Sequence, residues 1–164
     1  MPGAGKTSLA RALGERLVLP VIEKDVLKEA LYDTLGAGDV ETSQRLGRAT
    51  YALIFSVAEA VLRAGGSLVA EANFFRGTDE QRFAALPTHR LVQVHCHAPL
   101  EVLVARYSAR ERHPGHHDAD RIPELRARYE SGLNGPLDVP GELIDLDTTA
   151  ATVEELAAQV VSLL

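Results

Sequence analysis

The chain opens with Met1-Pro-Gly-Ala-Gly-Lys-Thr-Ser8. Gly5-Lys6-Thr7 is the tail of the phosphate-binding pattern G-x-x-x-x-G-K-[ST]. Glycines let such a loop curl until its N–H groups point inward at phosphate oxygens. Lys6 brings a point charge to the β- and γ-phosphates, and the Thr7 hydroxyl is placed to ligate Mg²⁺. Gly3, Ala4, Gly5, Lys6, Thr7 and Ser8 are the candidate cradle, with the positive end of the following helix behind them. The pattern's first glycine, and the strand that leads into such a loop, would both precede Met1.

Outward from this loop, helical and strand-like stretches alternate. Helices are predicted at Lys6–Arg16, Val26–Leu35, Thr42–Ala64, Asp79–Leu86, Pro99–Arg112, Ile122–Ser131 and Thr152–Leu164. Their apolar residues fall on one stripe, and the Gly36-Ala37-Gly38 and Gly65-Gly66 runs act as stops. Apolar runs at Leu17–Ile22, Ser67–Ala70, Arg90–His97 and Leu143–Asp147 read as strands. The alternation predicts an α/β fold: a parallel sheet with helices on both faces, in three layers, whose first strand is missing from these residues. One domain is expected over 1–164, with a lid segment at about 106–120.

Composition narrows the class. A chain of 164 residues, 46% apolar and 24% charged, suits one globular domain with a real core. A net charge of −6 argues against general coating of nucleic acid. The single cysteine, Cys96, rules out an internal disulfide framework. No apolar run is long enough for a membrane span, no signal peptide is read, and a cytoplasmic location is expected.

In open parallel sheets ligands gather at the carboxyl ends of the strands. The residues just past each strand are therefore the candidates. Asp25 could take the proton of an attacking hydroxyl; the other reading is a helix N-cap. Lys28, one turn on, could hold an anionic group of the acceptor. Glu71 could hold Mg²⁺ through water or orient the attacking group, and Asn73 could hydrogen-bond the acceptor. Arg76 completes the substrate-binding set. Phe74-Phe75 reads as packing more than pocket. Arg106, Arg110 and Arg112 end one helix, and arginines closing over a nucleotide neutralise the transferring phosphoryl group. The alternative is a solvated helix face. Thr148 follows the last strand. His95 and His97 share a strand face, and His113, His116 and His117 lie in the lid-like loop, but nothing in their spacing converges on a zinc site.

These residues resemble the P-loop kinases of the group containing chloramphenicol phosphotransferase, zeta-toxin-like kinases and polynucleotide 5′-hydroxyl kinases, broadly AAA-family ATP-binding proteins. Pro2–Ser8 matches that group's loop. Glu23–Lys28 resembles its D-x-x-[RK] element, whose Asp is the general base. Ser67–Asn73 resembles its third strand, Arg106–His117 its arginine lid, and Leu143–Thr149 the strand and loop lying near adenine. The chain departs from the group in the absent first glycine and strand, and in Lys28 where arginine is frequent.

The resemblance implies ATP and Mg²⁺ as cofactors and transfer of the γ-phosphate to a hydroxyl. Lys6, Asp25 and Arg110 are then catalytic. Arg106, Arg112 and Thr148 join the loop in nucleotide binding, and Lys28, Glu71, Asn73 and Arg76 bind the acceptor. A small hydroxylated molecule is the expected acceptor and a nucleic-acid 5′-hydroxyl the second, since Lys28 weakens a bidentate phosphate grip. A regulatory ATPase without acceptor and an inactive remnant are the competing readings. Candidate arginines in cis, within 164 residues, argue against a ring-forming AAA+ assembly and for a monomer or weak dimer.

Overall fold

The computed structural model describes residues 1–36, 38–110, 122–132 and 135–164. Arg112 and the lid-like loop His113–Asp120 lie outside the described residues.

Helix α1 (Lys6–Leu17) starts directly on Gly5, which holds a left-handed φ of 76°. It ends when Val18 turns left-handed at φ 54°, and the Leu19 N–H closes back on the Gly14 carbonyl at 2.9 Å. The strand expected at Leu17–Ile22 is therefore shorter. Leu17 is the last helical residue, Pro20 has no N–H to give to a ladder, and β1 is Val21–Glu23. Helix α2 (Lys24–Leu35) follows at once, with Glu23 as its N-cap. Helix α3 (Val40–Arg63) begins two residues before the expected Thr42, because the Asp39 carboxylate caps it by accepting the Thr42 N–H at 2.8 Å.

Strand β2 (Val69–Glu71) leads to the short α4 (Glu80–Ala84). Strand β3 (Val92–His97) leads to α5 (Leu100–Ser108), and α6 (Ile122–Glu130) precedes β4 (Glu142–Asp147). Helix α7 (Val153–Leu163) closes the described chain. Its start is a reciprocal capping box: the Thr152 hydroxyl accepts from the Glu155 N–H, and the Glu155 carboxylate accepts from the Thr152 N–H at 2.9 Å.

All strand pairs are parallel. β1 pairs with β2 in the register Val21↔Val69, and β3 pairs with β4 in the register Val92↔Glu142. Among the described residues the two pairs are not hydrogen-bonded to each other. A cavity of about 450 Å³ is lined by residues of β2 and β3.

Side-chain alternation on β1 and β2 sends residues to two layers of helix. Val21 presses on Gly14 of α1, where an added Cβ would collide with its methyl group, and Val69 packs on the core shared with α1. Ile22 and Ala70 pack instead against Tyr51 and Ile54 of α3. The main core lies between α1, α7 and one face of β3–β4, where Leu9 and Leu13 meet Cys96, Ile144, Leu146, Leu156 and Val160. Among the described residues no helix is long and apolar enough to cross a membrane.

Candidate nucleotide and acceptor site

The opening loop takes the shape its glycines permit. Gly3 and Gly5 hold φ of 78° and 76°, a region L side chains rarely enter. At Gly3 an added Cβ would come within 2.6 Å of the Leu103 carbonyl oxygen, so α5 presses against the loop from outside. Ala4 is fully buried. Thr7 and Ser8 occupy the first turn of α1.

A cavity of about 300 Å³ opens beside the loop, lined by Gly3, Gly5, Ser8, Arg106, Arg110 and Thr148. Thus the loop, the end of α5 and the residue after β4 meet. Arg106 is held in place there. Its guanidinium donates to the Thr148 hydroxyl at 2.9 Å and to the Thr148 carbonyl at 3.1 Å. Thr148 is buried, and its N–H donates to the His97 carbonyl at 2.9 Å, which ties the loop after β4 to the end of β3.

Lys6 points the other way, into the larger cavity, which Glu71 and Asn73 also line. Its ammonium donates to the Met1 carbonyl at 2.6 Å. Burial pulls the Lys6 ammonium below its ordinary pKa, with Arg110 adding to that effect while the Glu71, Cys96 and Asp25 charges oppose it. Burial likewise pushes the Glu71 carboxyl up, with Lys6 opposing. Lys6 and Glu71 line one cavity, and the charges of Asp25 and Arg110 bear on both.

Asp25 lies in the first turn of α2, with Glu23 as the cap, so capping is not its position. Its carboxylate is half-buried and lies 3.5 Å from the Lys24 ammonium. Asn73 turns its side-chain oxygen into a buried spot with no hydrogen-bond partner among the described residues, while its backbone carbonyl accepts the Tyr51 hydroxyl at 2.6 Å. Lys28 is buried between α2 and α3: it donates to the Ser43 hydroxyl at 3.0 Å and sits over the Tyr32 ring. Lys28 and Arg76 line neither cavity, and Arg76 is exposed beside Gly135. Among the described residues no group of three or more His, Cys, Asp or Glu could hold a metal.

Three neighbours of the site escape sequence reasoning. Arg128 of α6 stacks over Phe75 at 4.9 Å and lines the larger cavity. Tyr51, on the apolar stripe of α3, fixes the loop after β2. Asp79, almost fully buried, accepts the Phe75 N–H at 2.7 Å and shapes the same loop. One of several arginines, one aromatic in a stripe and one helix-start Asp carry no signal that separates them from their neighbours. Phe74 does pack, edge to face with Tyr51, Phe55 and Phe83, whereas Phe75 stays partly exposed.

Comparison with known proteins agrees with this fold. A family model described as AAA domain matches residues 1–132. A kinase candidate from Chloroflexus aurantiacus j-10-fl is 32% identical, with a TM-score of 0.83 over 98% of this chain and 90% of that one. A sugar kinase from Janibacter sp. HTCC2649 shares the fold at 20% identity and TM-score 0.65, covering 98% of this chain and 87% of that one. Shikimate kinase from Acinetobacter baumannii, solved with shikimate, shares it at 16% identity and TM-score 0.53, covering 99% of this chain and 88% of that one. Among curated proteins none matches. With its glycine loop, its Lys6 and its parallel α/β architecture, the chain belongs to the AAA domain family, in the P-loop kinase-like form.

Proposed function

We propose that this protein is a Mg²⁺-dependent phosphotransferase that moves the γ-phosphate of ATP to a hydroxyl of a small molecule. The observation that carries this reading is the cavity where Gly3, Gly5, Ser8, Arg106, Arg110 and Thr148 meet. Its Gly3 and Gly5 hold the positive φ that lets backbone N–H groups turn toward a phosphate. Arg106 and Arg110 match the charge that spreads over a transferring phosphoryl group, and Lys6, held by the Met1 carbonyl on the side of the larger cavity, would swing round to join them.

In this reading the N–H groups of Gly3–Ser8 hold the phosphates. Asp25 accepts the proton as the acceptor oxygen bonds to the γ-phosphorus, while the bond to the β-phosphate oxygen breaks and ADP leaves. The donors suited to Mg²⁺ are hard oxygens, the Thr7 hydroxyl and the Glu71 carboxylate through water. Mg²⁺ there would neutralise phosphate charge. The orphaned Asn73 oxygen would accept a hydrogen bond from a second acceptor hydroxyl. Lys28, buried on Ser43 and lining neither cavity, ties α2 to α3 and is no longer assigned to the acceptor, while Arg76 would reach the acceptor from the surface and Arg112 would join Arg106 and Arg110 on the nucleotide. A sugar kinase and a shikimate kinase among the fold neighbours suit a polyol-like acceptor. The net charge of −6 favours it over a nucleic-acid 5′-hydroxyl.

The test separates binding from chemistry. Lys6→Ala is expected to abolish Mg²⁺-ATP binding in calorimetry while leaving the circular-dichroism spectrum unchanged. Asp25→Asn is expected to keep ATP affinity and lower transfer to a responsive small alcohol about 10²–10⁴-fold. Transfer unchanged in Asp25→Asn would remove the general-base role. ATP hydrolysis indifferent to every acceptor and to Asp25→Asn would point to a regulatory ATPase instead.

A further inference from the structure

Lys24 stands where helix electrostatics disfavour it. It is the first residue of α2, at the positive end of the helix, where an acid such as Asp25 belongs and a cation does not. Two contacts hold its ammonium there. It lies 3.5 Å from the Asp25 carboxylate, and it sits over the Tyr51 ring, 5.6 Å from the ring centre. Adjacent residues do not ordinarily face each other on a helix, and the ring of Tyr51 lies where it turns Lys24 toward Asp25. The carboxylate on the other side, Glu23, is engaged by Arg11 of α1, which donates to both of its oxygens at 2.8 and 2.7 Å. The Lys24 side chain is 17% exposed and that of Asp25 35%, so solvent screens the pair less than it would on an open surface.

The seat under Lys24 is itself fixed. Tyr51 is buried on α3, its hydroxyl donates to the Asn73 carbonyl at 2.6 Å, and the Phe74 and Phe75 rings flank it at 6.2 and 5.9 Å. A cation is drawn to the face of such a ring by its quadrupole, more strongly when partly desolvated. Tyr51 therefore joins the start of α2, which carries Asp25, to the loop after β2, which carries Asn73. The charge of Asp25 also reaches Lys6 of α1, Glu71 of β2 and Tyr51 itself. Lys6 acts on the Asp25 carboxylate in the same sense as Lys24, and Glu71 in the opposite sense.

We propose that Lys24 is a positioning residue for Asp25: seated on the Tyr51 ring, its ammonium keeps the Asp25 carboxylate ionised and fixed in direction. Only the ionised form can accept a proton from an attacking hydroxyl. The inference rests on the reading of Asp25 as general base, and it adds to that reading the two residues, Lys24 and Tyr51, that hold the base ready.

The test follows the ¹³C-labelled side-chain carboxyl of Asp25 by NMR across pH, in the intact chain without nucleotide or acceptor. Its signal is assigned by its loss in Asp25→Asn. Lys24→Met keeps the stem and removes the charge. It is expected to raise the titration midpoint by about one pH unit or more, since an opposite charge this close lowers a carboxyl by roughly 1–3 pH units. Lys24→Arg is expected to restore the midpoint. Tyr51→Phe, which keeps the ring, is expected to leave it unchanged, and Tyr51→Leu to raise it. Should the buried Tyr51→Leu change unfold the chain, the Lys24 variants carry the test alone. Mg²⁺-ATP affinity in calorimetry is expected to be the same with and without Lys24→Met. An unmoved midpoint in Lys24→Met would overturn the proposal, as would a loss of ATP affinity, which would put Lys24 on the nucleotide. The titration reads the pair and not the reaction. Transfer that survives Asp25→Asn removes the base and leaves the pair, whereas an unmoved midpoint removes the pair and leaves the base.

Discussion

At the residue scale, the site depends on a few positions where one atom decides the outcome. Gly3 is the sharpest. Its φ of 78° disfavours any side chain, and a Cβ would meet the Leu103 carbonyl at 2.6 Å, a backbone atom that cannot swing aside. Gly3→Ala is expected to destabilise the chain by about 1–3 kcal/mol and to weaken ATP binding with it, read by thermal melting and calorimetry. An unchanged melting temperature would mean that loop and α5 shift apart freely. Gly5 differs in kind: its added Cβ would meet only Thr148, at 3.6 Å, so the strain there is backbone alone. The residue types of the loop are readable from spacing, since phosphate binding needs glycines and Lys6 in that order. That Lys28 is satisfied by Ser43 is not readable, because the partner comes from another helix.

At the element scale, boundaries moved where a local conformation overrode the apolar pattern. Leu17-Val18-Leu19 looks like the start of a strand, yet Val18 ends α1 in a left-handed turn and is 89% exposed. A β-branched residue in that region is strained by roughly 1–2 kcal/mol. Val18→Gly is expected to recover part of this strain, offset by the extra entropy of glycine in the unfolded chain. The net effect should be a slightly raised melting temperature, with ATP affinity unchanged. A clear fall would mean that Val18 packs in a way its exposure does not show. The elements themselves, four parallel strands and seven helices among the described residues, follow the sequence alternation closely. Caps such as Asp39 and the Thr152–Glu155 box account for where α3 and α7 begin.

At the scale of the whole molecule, the cavity beside β2 and β3 is lined by the buried Glu71 together with Lys6. Burial pushes the Glu71 carboxyl above its ordinary range, with the Lys6 charge opposing. A carboxyl raised in the folded chain contributes stability that is present below its unfolded value and is lost as pH rises through the folded one. Glu71→Gln removes the group. Chemical denaturation at rising pH, from the ordinary carboxylate range upward, is expected to show a flatter profile for the variant. An identical profile would place the Glu71 carboxylate in solvent.

The sequence by itself determined the phosphate loop, the alternation of helix and strand, the parallel α/β class and the strand-end candidates. Each of these depends on local chemistry: glycine conformational freedom, side-chain periodicity and capping. Only the tertiary structure decided that Arg106 is clamped by Thr148, that Lys6 and Glu71 line one cavity, and that Arg128, Tyr51 and Asp79 hold the loop after β2. Among the described residues it also showed the sheet as two separate pairs beside a cavity. Those outcomes turn on contacts between residues far apart in the chain, and on burial, which no single stretch of sequence encodes.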